Sequence, residues 1–326
     1  MVLRDRGWVC PPIVLLITLV IVGFLPWAVL PASAVYRCEG MRATLWGTDG
    51  RDLLVGTNRV DVIVGLGGND VIRGRGSQDF ICGGKGRDLI RGMARADHLL
   101  GEAGADRIFG GAGSPRFGGS GENSIEGGSG DDRIYGGPAG DSIDGGAGDD
   151  VIAPGGGLGE GNYAQGGRGD DLLTGGPDFD QLSGDAGDDR LYGDGGWRDR
   201  LLGGPGDDLL DGGPGARDEA VFEEPGPLTA DLRAGIAILP TGRDLLVHIE
   251  GIQGTTGDDV IRGNRLSNKL DGWYGDDRVF GFGRHDSLQG SWGDDVLRGG
   301  GGRPDHADGG RGTDRCDAED ERNCES

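Results

Sequence analysis

From Gly47 onward a large aliphatic residue recurs every nine positions, with an aspartate two residues before it and glycines after it. Aligned on that residue, the units read GTDGRDLLV (47–55), GLGGNDVIR (65–73), GGKGRDLIR (83–91), GGSGDDRIY (127–135), GGAGDDVIA (145–153), GGRGDDLLT (166–174), GGPGDDLLD (203–211) and GTTGDDVIR (254–262). Their shared form is GGxGxDxUx, with U aliphatic, and about 26 units, counting degenerate ones, lie between Gly47 and Asp317. A fixed short period of this kind marks a stacked repeat architecture. Glycines at positions 1, 2 and 4 suit a tight turn that needs positive φ. The following xUx suits a short strand with U inward and its neighbours outward. Two units then make one coil of a flattened solenoid, with strands on two faces and turns along two edges. The inward column is expected to be Leu54, Ile63, Ile72, Ile81, Ile90, Leu99, Ile108, Phe117, Ile125, Ile134, Ile143 and Ile152, continuing through Leu173, Leu182, Leu191, Leu201 and Leu210.

The aspartate at position 6 falls in the turn. Turns on one edge are 18 residues apart in sequence and about 4.8 Å apart in space, so their carboxylates stack. At that distance two unit charges repel by about 3 kcal/mol at an effective dielectric of 20. A hard dication held between successive carboxylates, its shell completed by turn carbonyls, reverses the sign of that interaction, and an oxygen-only, flexible site suits calcium better than magnesium or a transition metal. Loops that keep both Gly at position 4 and Asp at position 6 supply Asp52, Asp70, Asp88 and Asp106. The phase changes at the eight-residue unit GGAGSPRF (110–117), whose Pro115 replaces the aspartate. Beyond it the series continues with Asp132, Asp150, Asp171, Asp189 and Asp208, and later with Asp259, Asp277, Asp295 and Asp314. The interleaved loops are degenerate, with Arg59, Ser77 and Arg95 at position 4, where a clash is expected. The complete loops are therefore expected along one edge. One ion between adjacent members of each run gives about ten Ca2+ ions, against roughly twice that for a fully occupied roll. Two aliphatic side chains per coil make a small core for eighteen ordered residues, so metal binding is expected to be the folding reaction.

The nonapeptide resembles the calcium-binding repeat of RTX (haemolysin-type) proteins, from Gly47 to Asp317. The resemblance implies an all-β fold: a right-handed parallel β-roll (β-solenoid) of nine-residue repeats, with calcium as its ligand. Residues 216–253 break the pattern and are expected to form a few strands that join two rolls or cap one. The expected organisation is a leader at 1–34, an N-terminal cap at 35–46, a roll at 47–215, the insert at 216–253, a second repeat block at 254–317 and a tail at 318–326.

Composition narrows the classes. The 73 glycines exclude an ordinary single core, and they do not fall at every third position as a triple helix requires. With 55 acidic and 32 basic residues the formal charge is -23, which disfavours nucleic acid and anionic lipid and favours cations. Arg4 and Arg6 precede an apolar run and Ala32-Ser33-Ala34 follows it, so cleavage by a signal peptidase after Ala34 and a secreted, extracellular location are expected. The alternative is an uncleaved anchor over 12–30. Without the leader no membrane span remains, and Cys38, Cys82, Cys316 and Cys324 are left. An even count outside the cytoplasm favours disulfides. Of three pairings, Cys38–Cys82 with Cys316–Cys324 is the preferred one, and no CxxC or histidine pair supports zinc. His98, His248, His285 and His306 are scattered, no hydrolase or phosphate-loop motif is present, and about 12 residues separate the leader from the first repeat. A non-enzymatic structural or surface role is expected. The second class is a module for extracellular polysaccharide or a cell surface, with Trp197, Trp273, Tyr274 and Trp292 as contacts; a polysaccharide-modifying enzyme is the third.

Overall fold

The computed structural model describes residues 35–112, 122–157, 159, 161–302 and 304–325. The expected leader, Pro115 and Phe117 lie outside them. The described residues contain 33 strands and no helix. Apart from an antiparallel pair, Arg37–Cys38 with Met41–Arg42, the strands make a sixteen-stranded sheet and a fifteen-stranded sheet. Along the chain they alternate between the two: Val62–Val64 lies in the smaller sheet, Val71–Gly76 in the larger, and Phe80–Lys85 in the smaller again.

The nine-residue period dictates this alternation. Each unit supplies one strand and one turn, so a strand meets its own sheet again two units later. Ile72 pairs with Ile90 and Ile90 with Ile108 on one face, while Ile63 pairs with Ile81 and Ile81 with Leu99 on the other. All of these pairings are parallel. The strand Ser124–Ser129 shows the consequence, with Ile125 buried between exposed Ser124 and Glu126 and Gly127 buried in turn. Both sheets feed one continuous core, in which Ile72, Ile90, Leu99, Ile134, Leu173, Leu210 and their equivalents have no exposed surface.

The unit at 110–117 does not displace the stack. Ile108 pairs directly with Ile134, and Leu99 with Ile125. Strands before and after that unit are therefore neighbours, and the expected change of phase leaves the turns on the same edge. Residues 216–253 are also woven into both sheets. Glu219–Val221 sits between Arg200–Leu202 and Gly251–Gln253. Gly242–Val247, Ile236–Leu239 and Thr229–Asp231 follow Leu209–Asp211 in the other sheet, joined to each other antiparallel, and Thr229–Asp231 pairs on to Val260–Arg262. Disulfides join Cys38 to Cys82 and Cys316 to Cys324. The first fastens the N-terminal pair over a small satellite core of Ala43, Val62 and Val64.

Candidate metal centre

The turns place oxygen atoms where side chains would otherwise stand. At Gly65, position 1 of its unit, a Cβ would lie 2.1 Å from the Gly83 carbonyl oxygen and 2.6 Å from Asp70 Oδ2. At Gly145 the same space is flanked by Asp150 Oδ2 at 2.5 Å and Gly166 O at 2.6 Å. Glycine at position 1 thus lets a carboxylate oxygen of its own turn and a carbonyl oxygen of the next coil face one small space.

Successive aspartates are tied together by the main chain. On the edge where the smaller sheet crosses to the larger, here the first edge, the N–H of Asp70 donates to Asp88 Oδ1 at 2.7 Å, that of Asp88 to Asp106 at 2.7 Å and that of Asp106 to Asp132 at 2.6 Å. The ladder runs on through Asp150, Asp171, Asp189 and Asp208 to Asp244, then resumes from Asp259 through Asp277 and Asp295 to Asp314. One oxygen of each carboxylate is therefore fixed and aimed. The other is left over. Twenty aspartates among the described residues bury an Oδ2 that accepts no hydrogen bond, and they include all thirteen sequence-derived ligands except Asp52 and Asp259. Those two stand at the head of a run, where Thr48 N–H donates to Asp52 Oδ2 at 2.6 Å and Thr255 N–H to Asp259 Oδ2 at 2.7 Å.

An unpaired buried acceptor is costly, and a buried charge more so. Burial pushes Asp150, Asp208 and Asp277 up to about 8, even though a main-chain N–H of the preceding aspartate works against it; the charges of stacked aspartates add to the rise. Asp106 and Asp171 are pushed to about 7, and Asp88, Asp132, Asp189 and Asp295 to about 6, for the same leading reason. An exposed outer row, Asp131, Asp149, Asp170, Asp188 and Asp207, is laddered alongside and deepens the negative potential. Such a column needs positive charge. Among the described residues no three His, Cys, Asp or Glu side chains converge as a metal cluster, so an ion here would draw on stacked carboxylates together with main-chain carbonyls.

Sequence reasoning missed part of this arrangement. Asp244 extends the first-edge ladder, accepting from Asp208 N–H at 3.1 Å. Its signal is the string GRDLLV at 242–247, identical to 50–55. The second edge carries a ladder of its own through Asp61, Asp79 and Asp97, with Asp141, Asp180, Asp199, Asp218, Asp286 and Asp305 further along. The clash expected at its position 4 does not occur: Arg95 (φ 84°) and Arg284 (φ 73°) adopt the left-handed conformation with exposed side chains. The edges still differ chemically, because Asn123, Asn162 and Asn268 interrupt the second. Asn123 Nδ2 donates to Asp141 Oδ1 at 2.8 Å and Asn162 Nδ2 to Asp180 Oδ1 at 2.7 Å, giving locally the positive end that a cation would supply. The histidines are dispersed: His248 meets Asp211 at 2.8 Å, His306 meets Asp320 at 3.1 Å, and His98 stacks on Phe80.

A family model of the RTX calcium-binding nonapeptide repeat matches the chain over residues 46–81, 55–90, 83–115, 117–152, 165–196, 198–216, 253–281 and 283–304, together more than half of its length. The chain belongs to the RTX calcium-binding nonapeptide repeat family. No curated protein matches it. The RTX assignment and the geometry agree on the ligand: calcium takes six to eight oxygens in flexible arrangements, and buried carboxylate and carbonyl oxygens are what the turns present. The protein is a calcium-binding RTX β-roll. Among the described residues no helix is long and apolar enough to cross a membrane.

Proposed function

We propose that this RTX protein is an exported, non-enzymatic element that is disordered without calcium and folds on meeting it outside the cell, serving as a structural or surface component. The observation that carries this reading is the file of buried Oδ2 atoms without partners: folding without a cation leaves each of them either protonated or unpaired. Asp52, Asp70, Asp88, Asp106, Asp132, Asp150, Asp171, Asp189, Asp208, Asp259, Asp277, Asp295 and Asp314 are the proposed ligands, with about ten ions on the first edge. The amides interrupting the second edge favour that edge as the weaker one. Export follows from the leader read at 1–34. Calcium titration of the chain from Val35, followed by circular dichroism and calorimetry, tests the proposal. Calcium should induce the β signal with a stoichiometry near ten. A full β signal in chelator at pH 7.5 would refute folding on calcium, and a stoichiometry near twenty would refute the one-edge allocation.

A second reading, binding of extracellular polysaccharide, is favoured by one feature. Tyr274 and Trp292, one coil apart, stack at 5.7 Å and 20°, and Arg311 lies over Trp292 at 4.2 Å. This makes an exposed planar strip to which Trp273 adds an edge contact, while Trp197 stands separately and is 73% exposed. Glycan-array binding with and without calcium tests it: calcium-dependent binding lost in Trp292→Ala supports it, and no binding in either condition refutes it.

A further inference from the structure

The formal charge of -23 hides a basic surface. Between Gly47 and Ala112 the chain carries nine basic and nine acidic residues, and seven of the acids are the ladder aspartates of the two edges, from Asp52 to Asp106. The two acids outside the ladders are Asp49 and Glu102. All nine basic side chains are exposed or partly exposed. The acids of this block are thus drawn into the turns, and its cations are left on the surface.

Four arginines gather on the outer face of the larger sheet. Position 9 of the unit places Arg73 and Arg91 there, and position 7 places Arg107 and Arg133, on the successive strands Val71–Gly76, Leu89–Ala94, Arg107–Ala112 and Arg133–Gly137. Arg73 is in register with Arg91, and Arg107 with Arg133. Neighbouring strands stand about 4.8 Å apart, so each pair is a like-charge contact that works against the sheet. No acid relieves them: the arginine and lysine ion pairs among the described residues are made by Arg200, Arg233, Lys269 and Arg322 instead. Arg91 lies over the Phe109 ring at 5.5 Å, and Phe109 stacks on Tyr135 at 5.1 Å and 11°. That file of rings holds the guanidinium in place, which lowers the entropy lost when a partner binds. Arg107 and Arg133 also line a hollow of about 420 Å3, shared with Arg87, Asp88 and Asp131.

We propose that this face binds an acidic polysaccharide, a linear chain of uronate sugars lying along the roll axis across Arg73, Arg91, Arg107 and Arg133. A guanidinium grips a carboxylate with two parallel N–H donors, and a carboxylate set between two arginines one coil apart turns their repulsion into attraction. Anions repeated along an extended polymer match cations repeated along a flat sheet. A bilayer is the poorer fit, because Val71 and Leu89, beside these arginines, are partly buried in the sheet and offer no projecting anchor. The surface is separate from the strip of Tyr274 and Trp292, and its ligand is chosen by charge rather than by stacking. Calcium strengthens it through the column reading, on which this step alone rests: with the ladder aspartates neutralised, nine cations of the 47–112 block face two acids.

Hyaluronate, a linear polymer with a carboxylate on alternate sugars, is the probe, and dextran is its neutral counterpart. Calorimetry on the calcium-loaded protein should show hyaluronate binding that weakens as salt is added, and no binding of dextran. The double variant Arg107→Gln with Arg133→Gln should bind hyaluronate about tenfold more weakly, and Arg73→Gln with Arg91→Gln likewise, while Trp292→Ala should bind as the parent does. No hyaluronate binding, parental affinity in both double variants, equal binding of dextran, or preference for anionic phospholipid vesicles would each overturn the proposal and leave the calcium column standing. A protein that binds hyaluronate through these arginines yet takes up no calcium in equilibrium dialysis would overturn the column reading and leave this surface assigned.

Discussion

Acid should replace calcium. In the folded roll the stacked carboxylates are pushed up to between about 6 and 8, whereas in the unfolded chain an aspartate titrates near 3.9. The folded state therefore binds more protons than the unfolded state over this whole interval. Its contribution to stability is fully present below about pH 4 and is lost as pH rises through 6 to 8. A two-unit rise corresponds to about 2.7 kcal/mol of differential interaction. Discounted for solvent screening to about 1 kcal/mol per carboxylate, the sixteen buried aspartates pushed to about 6 or above still amount to about 16 kcal/mol, at the top of the 5–15 kcal/mol by which domains are ordinarily stable. Without calcium the chain should thus be unfolded at pH 7.5 and gain β structure as pH falls to 5.5. The assay is far-ultraviolet circular dichroism in EDTA across pH 8 to 5, with calcium-loaded protein as the folded reference. A chain equally ordered at pH 8 and pH 5.5 in EDTA, or one that loses order on acidification, would refute the reasoning.

Other substitutions probe the remaining parts. Asp150→Asn should bind at least one calcium ion fewer by calorimetry, and should move the EDTA folding midpoint to higher pH, because the most strongly raised class of carboxylate is lost. Gly86→Ala forces a side chain onto a residue with φ of 127°, its Cβ 1.9 Å from Gly68 O; chemical unfolding in calcium should show a loss of about 2–4 kcal/mol. Ile134→Ala empties a fully buried core position and should cost about 2–5 kcal/mol by the same measurement.

The repeat made much of this molecule readable, because one unit contains its own strand, turn and ligand. The described members of the inward column from Leu54 to Leu210 lie in the core as their spacing implies. Position 4 was the misleading signal. Arginine there looks like damage, and on the first edge glycine is required at position 4, where a Cβ at Gly86 would lie 1.9 Å from Gly68 O; on the second edge Arg95 takes a positive φ instead, and the contact common to both edges is at position 1, where Gly92 leaves room for Asp97 Oδ2 within 2.3 Å of its absent Cβ. On the second edge a unit with Gly at 1 and Asp at 6 keeps its ladder with Arg or Ser at 4. Continuity was also hidden. Asp106 and Asp132 are 26 residues apart, and Asp208 and Asp244 are 36 apart, yet each pair is adjacent in space; a separation other than 18 gives no sign of that adjacency in the local pattern. Glu250 and Glu319, which accept the N–H groups of Asp218 and Asp305, lie outside the nonapeptide altogether, so only the three-dimensional ladder reveals their use.

The claim that free carboxylate oxygens along the first edge are calcium ligands is tested most directly by an anomalous difference map from calcium-grown crystals. Peaks should recur once per coil beside Asp70, Asp132, Asp150 and Asp189, each within bonding distance of an Oδ2 atom. A well-ordered coil whose Oδ2 atoms face only water or one another would contradict it.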